Sequence, residues 1–326
     1  MTNEFPLVSI VIPVHPAKVE VKAADSSRQL DYPREKLEII IVRSTDLSTV
    51  PAMKRNAAIK AARGELIYFL DDDSVPLPGN LRRAVARFSD PQVMMVGGPN
   101  VCPSDAPTLE RSLGLAMGSW VAFGPSCARY RAFGRLRASS EKELISCNLM
   151  ARRQPLLELG SFDERMYPNE ENALMDGMQK RGRLLYDPEL IVYRRPRSTL
   201  SAFMKMLLFY GRGRAEQFRL HPSFASAPNF VPPAFCLYLA SLAFVPALTS
   251  IGMAYFLPLA LYGLVVLGQA ASVGVRSGFA WGLRVLPLIA MTNVLYGLGF
   301  WHGLVTRIAP LKPGQGTDIR LETVPA

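Results

Sequence analysis

The chain has 326 residues, 49% of them hydrophobic, which is room for one large domain or two ordinary ones and more apolar content than a soluble protein of this size carries. Its formal net charge of +10 raises nucleic acid as a partner, but no recognisable binding module is present and the densest basic stretch borders an apolar region, which argues against it. The four cysteines (Cys102, Cys127, Cys147, Cys236) are widely spaced, with no Cys-x-x-Cys and no His/Cys cluster, which excludes a zinc module and leaves reduced, structural thiols as the expectation.

The opening residues Met1–Pro6 carry no basic leader and run into Leu7-Val8-Ser9-Ile10-Val11-Ile12-Pro13, a β-branched run that predicts a buried parallel strand. A domain that stays in the cytoplasm is therefore expected. A helix over Val19–Leu30 and a second strand, Leu37–Val42, follow. Ala52–Ala62 predicts a helix stopped by Arg63-Gly64. Leu66–Leu70 is the third strand, and it ends in three consecutive carboxylates, Asp71-Asp72-Asp73. Leu81–Phe88 predicts a helix and Val93–Val96 a strand. This alternation indicates βαβ units on a parallel sheet. The pattern loosens over Val101–Ser140, with a helical part at Thr108–Trp120. Leu144–Met150 reads as a strand, then helices follow near Pro155–Leu159 and Asn172–Arg181.

From Arg194 to Arg219 basic residues dominate, with Glu216 the lone acid. Leu200, Phe203, Met204 and Leu207 form a stripe that suits a helix lying on a membrane surface. Between His221 and Asp318 there is no Asp or Glu at all. Apolar runs at about 230–251, 253–273 and 285–305 each approach the ~20 residues that a bilayer requires. The third, with Asn293, Trp301 and His302, also suits a helix in the interface. A basic segment beside the first run marks the cytoplasmic side and attracts anionic lipid. The expected organisation is a catalytic domain at 1–198, a basic juxtamembrane segment at 199–222, a membrane domain of two or three helices at 223–308, and a polar tail at 309–326.

An acidic triplet at the tip of a buried strand suits Mg²⁺ or Mn²⁺ shared with substrate phosphates. It equally suits a solvated turn in which Asp72 or Asp73 caps the helix beyond Pro78. No glycine-rich turn follows the first strand and no Walker loop is present, so dinucleotide binding and P-loop chemistry are excluded.

The segment from Lys54 to Asp73, KRNAAIKAARGELIYFLDDD, resembles the hallmark of family 2 glycosyltransferases, an "RN-x-G-x-x-x-A-x-G" helix leading into an apolar strand and a D-x-D motif. Val8–Val14 is similar to the family's first strand. Gly160-Ser161-Phe162-Asp163-Glu164 with Asn169-Glu170-Glu171-Asn172 resembles its "GGFDE…GED" acceptor region. Arg194-Arg195-Pro196-Arg197 and Tyr210–Glu216 are most similar to the membrane-anchored subgroup that builds succinoglycan-type exopolysaccharides. The resemblance covers about residues 5–220 and extends to the membrane tail.

What it implies is an α/β GT-A domain, a Rossmann-like nucleotide-sugar-binding fold, followed by transmembrane helices. The resemblance implies a divalent ion, Mg²⁺ or Mn²⁺, on Asp73 with Asp71 beside it or on the ribose. Pro13, Arg55, Asn56 and Asp72 are the implied neighbours of the donor nucleotide. Arg212 and Arg214 stand where the family has Q-x-x-R-W and would meet either the diphosphate or lipid phosphates, with Gly211 and Gly213 permitting close approach. Glu171 is the implied catalytic base, Glu170 its fallback, and Asp163 would orient the acceptor loop. One departure is clear: the family's "VDDGS" after the second strand is Val42-Arg43-Ser44-Thr45-Asp46 here, so the Asp that recognises the base is Arg43, with Asp46 a possible substitute.

The expected reaction is inverting transfer from a nucleotide sugar, UDP-sugar being the expected donor, to a polyprenyl-linked saccharide at the cytoplasmic membrane. Membrane lipids are expected partners. A polyprenyl-phosphate monosaccharide synthase, a membrane nucleotidyltransferase and a non-catalytic scaffold are the alternatives.

Overall fold

The computed structural model describes residues 5–167, 169–220, 222, 224–244, 250–308 and 318–325. In chain order, β1 (Val8–Pro13), α1 (Lys22–Ser27), β2 (Leu37–Arg43), α2 (Pro51–Ala61) and β3 (Leu66–Leu70) build the first half of the sheet. A short β4 (Val75–Pro76) precedes α3 (Asn80–Arg87), β5 (Val93–Gly97) and a short β6 (Asn100–Val101). The helices α4 (Thr108–Met117) and α5 (Trp120–Phe123) come next, then β7 (Arg137–Ser139), β8 (Asn148–Arg152), α6 (Arg153–Glu158) and α7 (Glu170–Gln179). After β9 (Arg183–Tyr186) and β10 (Val192–Tyr193) the chain is helical through α8 (Leu200–Leu220), α9 (Val231–Ser241), α10 (Ser250–Ser277) and α11 (Phe279–Val305), and it closes on β11 (Arg320–Val324).

Two compact units do not follow chain order: the first comprises Met1–Pro103, Ala128–Arg195 and Ala309–Ala326, the second Ser104–Cys127 and Pro196–Ile308. The first is an eight-stranded mixed sheet in the order β11-β2-β1-β3-β8-β5-β9-β7. Every residue of β1, β3 and β5 is buried, which is why these strands read as continuous apolar runs rather than alternating ones. Ile10, Ile39 and Leu70 lie in the core on one face, and Ile67, Phe69 and Leu149 in that on the other. Each such side chain, once buried, contributes about 1.5–3 kcal/mol.

The sheet expected to be parallel is mixed. The pairs β1/β2, β1/β3 and β5/β9 are parallel, but β8 runs antiparallel between β3 and β5, and β11 is antiparallel on β2. The long excursion from β6 to β8 lets the chain re-enter the sheet from the opposite end, which no local helix-crossover pattern reveals. The tail expected to be only polar contains β11; residues 309–317 lie outside the described residues. The first helix is also shorter than Val19–Leu30, since α1 covers Lys22–Ser27.

The second unit is helical. Among the described residues, three helices are long and apolar enough to cross a membrane: Ala227–Phe244, Met253–Ser277 and Phe279–Val305. The first expected run, to 251, crosses 245–249, which are outside the described residues. At 27 residues α11 spans about 40 Å, more than the ~30 Å of a hydrocarbon core. Two of its polar side chains are satisfied by neighbouring helices: Asn293 Nδ2 donates to Tyr262 Oη (3.0 Å) and Trp301 Nε1 to the Pro233 carbonyl (3.0 Å).

Of the stripe on α8 expected to lie on lipid, Phe203 and Leu207 are buried where α8 packs on α11, as is Met206, while Leu200 stays exposed. Small residues permit this close crossing. A Cβ on Gly211 would lie 2.1 Å from the Tyr296 carbonyl oxygen, and one on Gly299 2.2 Å from that of Leu208. Gly211 therefore serves helix packing, not approach to a diphosphate.

Candidate active site

The first unit brings the acidic triplet to the carboxyl end of β3, where open α/β sheets place ligands. Side chains alternate as the strand runs out. Asp72 turns inward, 7% exposed, accepting from the His15 backbone N–H (2.9 Å) and pairing with Lys18 Nζ. Asp71 and Asp73 share Arg194, whose Nη2 lies 3.1 Å from Asp71 Oδ2 and whose Nε donates to Asp73 Oδ1 at 2.7 Å. Lys18 also approaches Asp73 Oδ2, at 3.7 Å. Neither Asp72 nor Asp73 caps a helix, because α3 begins after Gly79 with no side-chain cap.

Arg194 belongs by sequence to the basic stretch expected to face the membrane. Its position follows from β10, which pairs antiparallel with β4 so that Tyr193 stands opposite Val75, two residues beyond Asp73. Burial pushes the Asp73 carboxyl up, but the Arg194 guanidinium and Lys18 outweigh it and hold the group below the usual carboxylate range.

Arg55 on α2 joins this cluster to the acceptor-side glutamates. Its Nη2 donates to Asp71 Oδ1 (3.0 Å) and its Nη1 to Glu170 Oε1 (3.2 Å), and its guanidinium lies 5.5 Å from the centre of the Phe162 ring. Glu170 Oε2 is buried without a hydrogen-bond partner among the described residues. Burial, opposed by Arg55 and reinforced by neighbouring Glu171, pushes the Glu170 carboxyl up to about 7. Glu171 is less enclosed: its Oε2 accepts from the Ser146 N–H (2.9 Å) and its Oε1 lies 3.6 Å from Arg129 Nη1. Both glutamates open α7, where the unsatisfied N–H groups of the first turn favour negative charge.

The other expected site residues are placed differently. Asn56 does not line the carboxylate cluster. Its Oδ1 accepts from the Phe162 N–H and its Nδ2 donates to the Phe162 carbonyl and to Glu164, each at 2.9 Å, so it holds the acceptor-side turn against α2. That turn is entered through left-handed Gly160 and Ser161 (φ 80° and 65°). Asp163 is paired with Arg165 at 2.7 Å on the surface of the same turn. Pro13 is buried at the end of β1, opposite Val42. Arg212 and Arg214 belong to the second unit, on α8, where Arg212 donates to Glu216 (2.9 Å) and Arg214 to Gln217 (3.1 Å). Arg43, where the family carries an Asp, donates to the carbonyls of Lys18 and Val19. Asp46 is bonded to Ser48.

The donor set fits a hard divalent ion in part. Asp71 and Asp73 converge on one cationic group and offer only oxygen, the chemistry of a Mg²⁺ or Mn²⁺ site completed by substrate phosphates. A self-sufficient cage of three or more protein ligands does not occur among the described residues.

A family model described as glycosyltransferase like family 2 matches residues 1–207. The mannosyltransferase PcManGT from Pyrobaculum calidifontis, solved in complex with GDP-Man and Mn²⁺, is 18% identical, with 90% of this chain and 88% of that chain covered and a TM-score of 0.50. S. aureus TarS 1–349 in complex with UDP is 12% identical, with 91% and 90% covered and a TM-score of 0.44. No curated protein matches the chain in sequence. The mixed sheet, the D-x-D tip of β3 and a family match over more than half the chain agree, and the chain belongs to the family 2 glycosyltransferases, with a GT-A-like domain and helices long enough to span a membrane.

Proposed function

We propose that this protein transfers a sugar from a nucleotide sugar, with inversion, to a lipid-linked saccharide at the cytoplasmic face of a membrane. The observation that carries the reading is the continuous charged cluster in which Arg194 joins Asp73 to Asp71 and Arg55 joins Asp71 to Glu170, next to Glu171. One end of it suits the diphosphate of a donor, the other a hydroxyl that must lose a proton.

Asp73 and Asp71 would hold Mg²⁺ or Mn²⁺, the latter being the ion named with GDP-Man in the PcManGT complex. Such an ion, when bound, neutralises charge on the departing nucleoside diphosphate. Arg194 lies against both carboxylates and Lys18 against Asp73, and the two cations supply charge-assisted hydrogen bonds for phosphate oxygens. Glu171 takes the proton of the attacking hydroxyl. The Ser146 N–H fixes one of its oxygens, and the other is more than a hydrogen bond from Arg129. Glu170 is a poorer base in this arrangement, because Arg55 occupies one oxygen and burial encloses the other.

The apolar helices support a lipid-linked acceptor, since they would keep the active site within reach of the bilayer. Membranes or detergent extracts containing the protein, supplied with labelled UDP- and GDP-sugars and a divalent ion, should move label into extractable lipid. Absence of label in lipid with every common donor, from folded protein, would sink the reading.

A further inference from the structure

The last strand of the chain has no role in the site as built so far, yet it reaches the same end of the sheet. β11 pairs with β2 from Arg320 opposite Arg43 to Val324 opposite Ile39, and so covers an edge that β2 would otherwise expose. Just before it, Asp318 enters the loop that follows β2. Its Oδ2 accepts from the N–H groups of Thr45 (2.6 Å) and Asp46 (2.9 Å) and from the Thr45 hydroxyl (2.8 Å). Ser44 Oγ donates to both oxygens, at 2.8 and 2.9 Å, and Thr49 Oγ1 lies 3.4 Å from Oδ1. Bonds from Ser44, Asp46 and Thr45 hold this carboxyl well below its usual range, so the staple stays ionised at any neutral pH.

The stapled loop forms one side of a cleft of about 170 Å³. Its other walls are Val14, His15 and Pro16, just past the end of β1, and Asp318 with Arg320 from the C-terminal segment. The cleft lies outside the carboxyl ends of two adjacent parallel strands, the general position of ligands in open α/β sheets. It is also contiguous with the triplet, because the His15 N–H donates to Asp72 and Lys18 spans Asp72 and Asp73. A diphosphate held at Asp73 therefore has this cleft beside it for the organic half of the same molecule.

We propose that the C-terminal strand is a working part of the donor site: Asp318 is a positioning residue that fixes the loop after β2, and Arg320 borders the cleft that receives the nucleoside. The segment that follows the apolar helices in sequence thus sets donor affinity. This rests on the donor reading given above. It predicts that the nucleoside half of a donor, and not its phosphates, senses residues 318–320.

The test titrates the full-length protein in detergent, with Mn²⁺, against UDP, GDP and inorganic pyrophosphate, for wild type, Asp318→Ala and Arg320→Ala. Arg320 is exposed, so truncating it removes no buried contact. The expected result is a loss of about tenfold or more in affinity for the preferred nucleoside diphosphate in both variants, with pyrophosphate binding unchanged. Unchanged nucleoside diphosphate affinity in Arg320→Ala and Asp318→Ala, or an equal loss for pyrophosphate, would overturn the proposal while leaving the donor reading intact. A wild type that binds neither nucleoside diphosphate overturns both.

Discussion

Arg55 and Glu170 meet at 3.2 Å with each side chain only 5% exposed, and this buried pair ties α2 to the start of α7. Asp71 shares the same guanidinium, so one cation compensates two carboxylates drawn from different parts of the chain. Breaking a buried pair by removing one member costs about 3–5 kcal/mol, because the remaining charge is left uncompensated. Arg55→Met should lower the unfolding free energy by that order in urea titrations at pH 8. A loss below about 1 kcal/mol, the worth of a surface pair, would show that the cluster is solvated instead.

The raised Glu170 carboxyl gives a pH dependence with a definite sign. In the unfolded chain the group ionises near 4.5; in the folded protein it keeps its proton until about 7. Between those values the folded state binds more protons, so its stability falls as pH rises across that window. Glu170→Gln removes this loss. Its unfolding free energy relative to wild type should climb from pH 4.5 to 7, by on the order of 3 kcal/mol, and then level off. Asp73 does not mask the effect, since its folded value is depressed below 3.8 and its contribution is lost only in stronger acid. A difference that is flat with pH would contradict the burial argument.

The division of labour between the two glutamates is tested by turnover. Glu171→Gln should reduce kcat by about 10²- to 10⁴-fold, the usual worth of a general base, while the donor KM stays near wild type. If Glu171→Gln turns over normally and Asp73→Asn is inactive, the acceptor is already an anion, as in a polyprenyl-phosphate monosaccharide synthase.

Asn56 separates scaffold from pocket. Its amide satisfies both backbone groups of Phe162, so Asn56→Ala strands buried polar atoms and should cost about 1–3 kcal/mol of stability. The donor KM should stay unchanged. A raised donor KM at unchanged stability would return Asn56 to the nucleotide pocket.

Much of the fold was legible because its central strands are buried on both faces: Val8–Pro13 and Leu66–Leu70 can hardly be read otherwise, and the metal-suited Asp71 and Asp73 stand where the second one ends. What escaped was long-range. Arg194 reaches Asp73 across 121 positions, and in sequence it is only one arginine in a basic run. Asp318 reaches Thr45 across 273, from just before a strand whose Arg-Leu-Glu-Thr-Val pattern lacks a buried face. The strand expected over Leu144–Met150 overlaps β8 only at Asn148–Met150, and its direction depends on where the chain re-enters the sheet. Gly211 was misplaced for a related reason, since a glycine that admits a neighbouring helix looks the same in sequence as one that admits a phosphate.

In the proposed site, Asp73 and Asp71 bind the donor diphosphate through a divalent ion. Calorimetric titration of UDP and GDP into the detergent-solubilised protein, with Mn²⁺ and with EDTA, tests it most directly. At least one of the two should bind in a way that requires the ion, is lost in Asp73→Asn and survives in Glu171→Gln. Binding that is equally tight in EDTA, or unaffected by Asp73→Asn, would contradict it.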